Sequence, residues 1–213
     1  MKIDFISDVA CPWCAVGLNA LQEALGRVGD EVKVDLHFQP FELNPGMPAE
    51  GQDAVEHLVE KYGSTPEQIR HNGQAITDRG AELGFRFDME KRSHVYNTFD
   101  AHRLLHWAGE LGQAQQLALK KALLAAYFTD GRNVSDHAEL LRIVDETKLD
   151  VETARLILAG DQYAAEVRAQ EAFFMERGIR AVPAVVINDR HLISGGQPVE
   201  VFERAIRQIA AGG

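Results

Sequence analysis

The chain contains two cysteines, Cys11 and Cys14, and only Pro12 and Trp13 lie between them. That spacing lets both sulfurs meet across one helical turn, so a disulfide between them closes a tight ring that can form and break reversibly. Pro12 suits the first turn of a helix, which puts Cys11 at the helix N-terminus. Unpaired backbone N–H groups and the positive end of the helix dipole favour a thiolate at that position. Only a thiolate attacks a disulfide. Cys11 is therefore expected to be the attacking thiolate. Cys14, one turn further on, is expected to be the resolving thiol that releases the mixed disulfide. Pro12 fixes the turn, and Trp13 offers a large uncharged surface beside the sulfur for substrate contact.

A second constellation is Arg180-Ala181-Val182-Pro183-Ala184. A proline can open a strand because the ladder does not need its missing N–H. If the Val182–Pro183 peptide is cis, the turn aims the Val182 backbone at the Cys11 region. There it can pair with an extended substrate chain by β-augmentation. Val182 and Pro183 thus join Pro12 and Trp13 as substrate-binding candidates. The competing chemistry is a zinc site. An all-cysteine site needs four thiolates. His102 and His106 do share a helix face, but no H-E-x-x-H accompanies them, so no metal ligand is assigned.

These residues need elements to hold them. Lys2–Ile6 reads as a strand, Ser7–Trp13 as a loop and Cys14–Leu25 as a helix ended by Gly26 or Gly29. Val32–Phe38 alternates as a second strand does. Pro40, Pro45, Gly46 and Pro48 then interrupt regular structure. From Gly51 to Gly160 the pattern is helical throughout, with a capping box at Thr65–Gln68 and amphipathic stretches at 97–111 and 113–128. Ser135 and Asp150 are expected N-caps. Tyr163–Arg177 reads as a helix and Ala184–Ile187 as a strand. Asn188-Asp189 is hairpin-turn chemistry, His191–Ser194 is the return strand, and a last helix runs from Pro198 to about Ala210. The fold class is α/β: a thioredoxin fold with a large all-helical insertion. The expected boundaries are 1–44 (β-α-β), 45–161 (helical insertion) and 162–213 (α-β-β-α).

Composition excludes other classes. A chain of 213 residues with 46% hydrophobic residues can bury a core without staples. The net charge of −10 disfavours nucleic acid and anionic membrane surfaces. No stretch approaches the ~20 apolar residues of a membrane span. Met1–Asp8 lacks the pattern of a secretory signal, so a cytoplasmic protein with a transient, catalytic disulfide is expected.

The chain resembles the DsbA family of thioredoxin-fold oxidoreductases, and most closely its cytoplasmic FrnE-like branch. The resemblance is carried by Ser7-Asp8-x-x-Cys11-Pro12-Trp13-Cys14-x-x-Gly17, by Pro40-Phe41-Glu42-Leu43-Asn44-Pro45, and by Asn97-Thr98-x-x-Ala101-His102-Arg103. It continues in Val182-Pro183-Ala184 and in Ser194-Gly195-Gly196-Gln197-Pro198. It implies a cis Pro183 facing the cysteine pair and dithiol–disulfide exchange with no bound cofactor. Glutathione is implied as a redox partner or co-substrate. With a one-residue shift, the resemblance also makes Asp4 the proton-transfer candidate. Trp13 stands where periplasmic members usually carry histidine, which points away from a strongly oxidising role. Some FrnE-like proteins carry a further C-terminal cysteine pair; this chain does not.

The leading expectation is a thiol–disulfide oxidoreductase or isomerase, acting on a disulfide- or thiol-containing protein or small molecule, as a monomer or homodimer. The same architecture resembles 2-hydroxychromene-2-carboxylate isomerases and kappa-class glutathione transferases. There Ser194-Gly195-Gly196 can hold a glutathione carboxylate on free N–H groups. A transferase has no need of a resolving thiol, and Cys14 therefore favours redox chemistry. A non-catalytic metal-binding module is the third alternative.

Overall fold

The computed structural model describes residues 1–212. Strand β1 (Lys2–Ser7) is buried along all but its first residue, as a central strand covered on both faces must be. Helix α1 (Pro12–Val28) follows, then a 3-10 turn at Gly29–Glu31 and strand β2 (Asp35–Pro40). The next segment holds β3 (Gln52–Asp53), α2 (Ala54–Tyr62), α3 (Pro66–Glu82), β4 (His94–Val95), α4 (Phe99–Leu111) and α5 (Gln113–Phe128). It ends with α6 (His137–Glu146) and α7 (Val151–Ala159). Helix α8 (Ala164–Glu176), strands β5 (Ala184–Ile187) and β6 (His191–Ser194), and helix α9 (Val199–Ala210) complete the chain.

The main sheet has the order β2-β1-β5-β6. Strand β1 runs parallel to β2 and antiparallel to β5, and β6 returns antiparallel on β5. The two ends of the sequence therefore build one sheet. Its hairpin turns through residues 188–190, with Asn188 and Asp189 left-handed at φ of 51° and 58°, a region that asparagine and aspartate enter more readily than most residues.

Alternation on β1 divides its side chains between two faces. Ile3 and Phe5 join the main core with α1, whereas Ile6 packs with Phe174, Ile179 and Ala184 on the other side. The main core is continuous. It includes Phe5 on the sheet, Leu18 on α1, Leu104 and Leu123 on the central helices, Ile143 and Ile157 further along, and Phe202 on α9. The helical segment thus buries its apolar faces against the sheet and α1 rather than in a core of its own.

Several local expectations are corrected. The loop before α1 ends at Cys11, because Pro12 already takes the first helical position. Strand β2 begins at Asp35 rather than Val32, since its ladder with β1 starts at Lys2↔Asp35 and the preceding residues turn. The segment 51–160 is not helical throughout: β3 and β4 pair antiparallel. At two residues each, they are too short to show a period. Helix α6 is capped by the Asp136 carboxylate, which accepts from the Glu139 amide. Neighbouring Ser135 instead donates its hydroxyl to the Ala49 carbonyl, at 2.7 Å.

Candidate active site

Cys11 is the N-cap of α1, in extended conformation, and accepts the Cys14 amide on its carbonyl at 3.0 Å. Both cysteines are free thiols. They are not equivalent: Cys14 is sealed at 0% exposure, and Cys11 keeps 4%. Burial, and next the neighbouring Cys11 sulfur, push the Cys14 thiol well above its usual range. Cys14 is therefore held protonated while Cys11 alone reaches the surface.

The Cys11 thiol faces the Val182 carbonyl at 3.6 Å, and the Val182–Pro183 peptide is cis. Pro183 is held tightly. Its carbonyl accepts the Gly195 amide at 2.8 Å, and a Cβ placed on Gly17 of α1 would stand 3.0 Å from its Cγ. Gly196 is equally constrained, since a Cβ there would lie 3.0 Å from the Trp13 carbonyl. Two backbone turns and one helix face thus meet where only glycines fit. Trp13 is 42% exposed and Tyr62, on α2, is 60% exposed. The Cys11 charge adds to burial in raising the Tyr62 phenol. Trp13 thus offers an exposed ring next to the nearly buried Cys11, and no ladder covers the Val182 backbone, because β5 begins at Ala184.

A layer of buried polar groups lies behind the thiols. Asp8 follows β1 and accepts amides from Leu43 at 2.7 Å and Ala10 at 3.2 Å. Burial pushes its carboxyl up, but the His102 imidazole, then the Leu43 amide and Thr98, outweigh this and leave it below its usual value. His102 Nε2 lies 3.4 Å from Asp8 Oδ1, without the alignment of a hydrogen bond. Lys120 of α5 is 1% exposed and is depressed by burial, against the opposing pull of Cys14, Asp8 and Cys11. Further out, Arg168 bridges Glu42 and Glu171 and lies over the Phe99 ring at 3.9 Å. Burial, with the other carboxylate second, raises Glu42; burial also raises Glu171.

The structure thus brings together Cys11, Cys14, Pro12, Trp13, Val182 and Pro183. It does not bring Asp4 to them. Asp4 shares the Ile6 face of β1, where it accepts from Gln39 Nε2 at 2.6 Å and lies 3.0 Å from the Lys2 ammonium. The residue of β1 that faces α1 is Phe5. His106 leans on the Tyr163 ring, whereas His102 Nε2 lies near Asp8. Among the described residues, no cluster of three His, Cys, Asp or Glu side chains is arranged to hold a metal. The Gly195 amide, expected to be free for a glutathione carboxylate, is taken by Pro183. Sequence reasoning missed Lys120. A signal was present: Lys120 stands three, four and seven residues before Leu123, Leu124 and Tyr127, on the apolar face.

A family profile described as "DSBA-like thioredoxin domain" matches residues 2–207. The protein YwbO of Bacillus subtilis (strain 168), itself uncharacterised, is 28% identical over 208 residues, covering 97% of this chain and 96% of its own. A structure described as a "probable DsbA oxidoreductase SCO1869" of Streptomyces coelicolor superposes with a TM-score of 0.92 at 35% identity, covering 100% of this chain and 90% of that one. A 2-hydroxychromene-2-carboxylate isomerase shares the fold at a TM-score of 0.72 and 14% identity, over 98% and 96% of the two chains. The cytosolic disulfide reductase DsbM of Pseudomonas aeruginosa, solved with GSH, shares it at 0.67 and 16%, over 98% and 99%. With its C-x-x-C at the start of α1 and a profile match running almost end to end, the chain belongs to the DsbA-like thioredoxin domain family of thiol oxidoreductases.

Proposed function

We propose that the chain exchanges a dithiol for a disulfide with substrate thiols, Cys11 attacking and Cys14 resolving. The observation that carries this reading is the asymmetry of the pair. Cys11 meets the surface against Val182, while Cys14 is buried and held as a thiol. In the reducing direction, the Cys11 thiolate attacks one sulfur of a substrate disulfide, and the other sulfur leaves as a thiolate that takes up a proton. Cys14 then loses its proton and attacks Cys11 Sγ. The Cys11–Cys14 bond forms, the mixed disulfide breaks, and two electrons have passed to the substrate. The oxidising direction is the reverse.

Asp4 has no step in this scheme. Trp13, Tyr62 and the unladdered Val182 backbone suit an extended apolar peptide carrying a cysteine, and this favours a protein substrate. Glutathione enters as the redox partner that resets the pair, in a cytoplasmic setting and as expected of a FrnE-like member. Potentials in this fold run from about −270 to about −120 mV, roughly 7 kcal/mol, so direction must be measured. The test is an equilibrium titration in glutathione buffers, read by alkylation of the cysteines and by tryptophan fluorescence. A reversible two-electron transition, lost in Cys14→Ala, is the expected result. A pair that never oxidises would refute dithiol exchange. A stable glutathione adduct on Cys11 alone would favour the transferase reading.

A further inference from the structure

Helix α2 buries a single side chain, Ala54. Its residues Val55, Val59 and Tyr62 recur at the spacing of one helix face, yet Val55 and Val59 are 45% and 40% exposed and Tyr62 more so. Tyr62 also opens a groove of about 720 Å³ at the α2–α3 turn, lined by Ser64, Thr65, Gln68 and His71. This stripe is tied to the thiols. Neighbouring Lys61 donates to the Leu43 carbonyl at 2.8 Å, the Leu43 amide donates to the Asp8 carboxylate at 2.7 Å, and the Asp8 carbonyl accepts the Cys11 amide at 3.3 Å. The last turn of α2 is thus joined by hydrogen bonds in series to the loop that carries the attacking cysteine. The rim of the stripe is acidic. Glu56 and Glu60 are exposed one residue after Val55 and Val59, and Glu67 lines the groove. Among the described residues none of these three is ion-paired, and Glu60 accepts from the neutral Gln52 at 2.7 Å. The lysine of this helix, Lys61, is engaged by the Leu43 carbonyl and the Asn44 side chain.

We propose that the outer face of α2 is a docking surface for the protein substrate, and that it selects an apolar segment carrying lysine or arginine beside the target cysteine. The inference rests on the dithiol reading above and adds a class of substrate to it. A second copy of the chain fits this face poorly. A two-fold contact would bring the same acidic rim from both copies into one interface, where like charges are destabilising. Three partly exposed side chains also fall short of the ~800 Å² per partner of a stable interface. A patch of this size holds a partner briefly, as an exchange enzyme that must release its product requires. A cationic segment is attracted where a second acidic chain is repelled, and the net charge of −10 extends that attraction. Apolar side chains of the segment cover Val55, Val59 and Tyr62, and its basic groups meet Glu56 and Glu60. The path from Lys61 to Cys11 fixes the surface beside the attacking sulfur, so a segment held on α2 presents its own disulfide there. No bond is made or broken on α2 itself.

The test uses probes whose thiol is held in a mixed disulfide with 2-nitro-5-thiobenzoate. One is a leucine-rich peptide with lysines flanking its cysteine, one the same peptide with glutamates in their place, and one N-acetylcysteine amide. Cys11 of the reduced protein attacks the probe sulfur, and 2-nitro-5-thiobenzoate leaves as a coloured thiolate; Cys14 then releases the probe thiol. The lysine peptide is expected to react roughly tenfold faster than the glutamate peptide at low salt, and the gap to close as salt rises. Val55→Ser/Val59→Ser is expected to slow the lysine peptide by roughly tenfold and to leave N-acetylcysteine amide at the parent rate. Glu56→Lys/Glu60→Lys is expected to reverse the preference between the two peptides. Equal peptide rates in the parent, or peptide rates that neither variant changes, would overturn the docking surface. So would an equal fall in the N-acetylcysteine amide rate, because α2 would then shape the thiols rather than hold a substrate. A parent that sediments as a dimer, and as a monomer in Val55→Ser/Val59→Ser, would overturn it in favour of a second copy. If N-acetylcysteine amide stays on Cys11 with no release by Cys14, the dithiol reading fails and the proposal with it, on a probe too small to reach α2.

Discussion

At the scale of residues, the chemistry depends on contacts that tolerate no extra atoms. Cys14→Ala removes the resolving thiol and nothing else of size. A stable mixed disulfide between Cys11 and substrate is expected to accumulate, visible by mass as one substrate added per chain. Turnover without such an adduct would deny Cys14 its role. Gly17 is a separate constraint. It lies inside α1, where alanine is worth about 1 kcal/mol more than glycine, yet Pro183 and Gly196 leave no room for a side chain. Gly17→Val adds three carbons against backbone and a proline ring. A loss of ~2 kcal/mol in unfolding free energy is expected, with a slower first exchange step because Pro183 and Val182 are pushed from Cys11. An unchanged exchange rate would show that the Val182 contact is dispensable. The cysteine pair was legible because its spacing encodes chemistry, whereas the cis Val182–Pro183 peptide was legible only through the family resemblance. Asp4 was misplaced because a shift of one residue on a strand moves a side chain to the other face. Phe5 holds the position facing α1.

At the scale of elements, the helical segment seals the sheet. Strand β2 is an edge, and an exposed edge invites pairing with other chains. Helix α5 covers it with two glutamines. Gln113 accepts the Leu36 amide at 3.2 Å. Gln116, 6% exposed, accepts the Phe38 amide at 3.0 Å and donates to the Phe38 and Leu105 carbonyls at 3.2 and 3.1 Å. Gln116→Leu keeps the volume but orphans a buried amide and two carbonyls, so a loss of ~2 kcal/mol is expected. It would be read as a lower urea midpoint at unchanged slope. Stability equal to the parent's would mean that water reaches the β2 edge. Elements with strong signals were legible in the sequence: β5, β6 and α5 fall where the pattern places them, and Thr65 and Asp150 cap as their chemistry suggests. What stayed hidden was set by partners. The start of β2 depends on its register with β1. Strands β3 and β4 exist only as a pair, and Asp136 displaces Ser135 as a cap because the Ser135 hydroxyl is engaged by Ala49.

At the scale of the whole molecule, the buried charges behind the thiols make stability depend on pH with two opposed slopes. Asp8 titrates below its usual 3.8 in the native state, so the native state sheds a proton that the unfolded chain keeps. Its stabilisation is present above 3.8 and is lost as the pH falls through the lower native value. Glu42 and Glu171 behave oppositely. Burial holds both above their usual 4.5, so the native state keeps protons that the unfolded chain has lost. Their contribution is present below 4.5 and disappears as the pH rises through the raised native values. Glu42→Gln removes one of these sites while keeping an oxygen that Arg168 can bond. The difference in unfolding free energy, parent minus Glu42→Gln, is therefore expected to fall as the pH rises from 4.5 towards neutrality, measured by urea unfolding at each pH. Asp8→Asn is expected to give the opposite trend, its deficit shrinking as the pH drops below 3.8. Parallel curves for Glu42→Gln would mean that Arg168 keeps Glu42 ionised throughout, so that the outer carboxylates form a plain ion-pair cluster. Converging curves would instead show that burial holds Glu42 protonated in the native state above its usual 4.5, against the pull of Arg168.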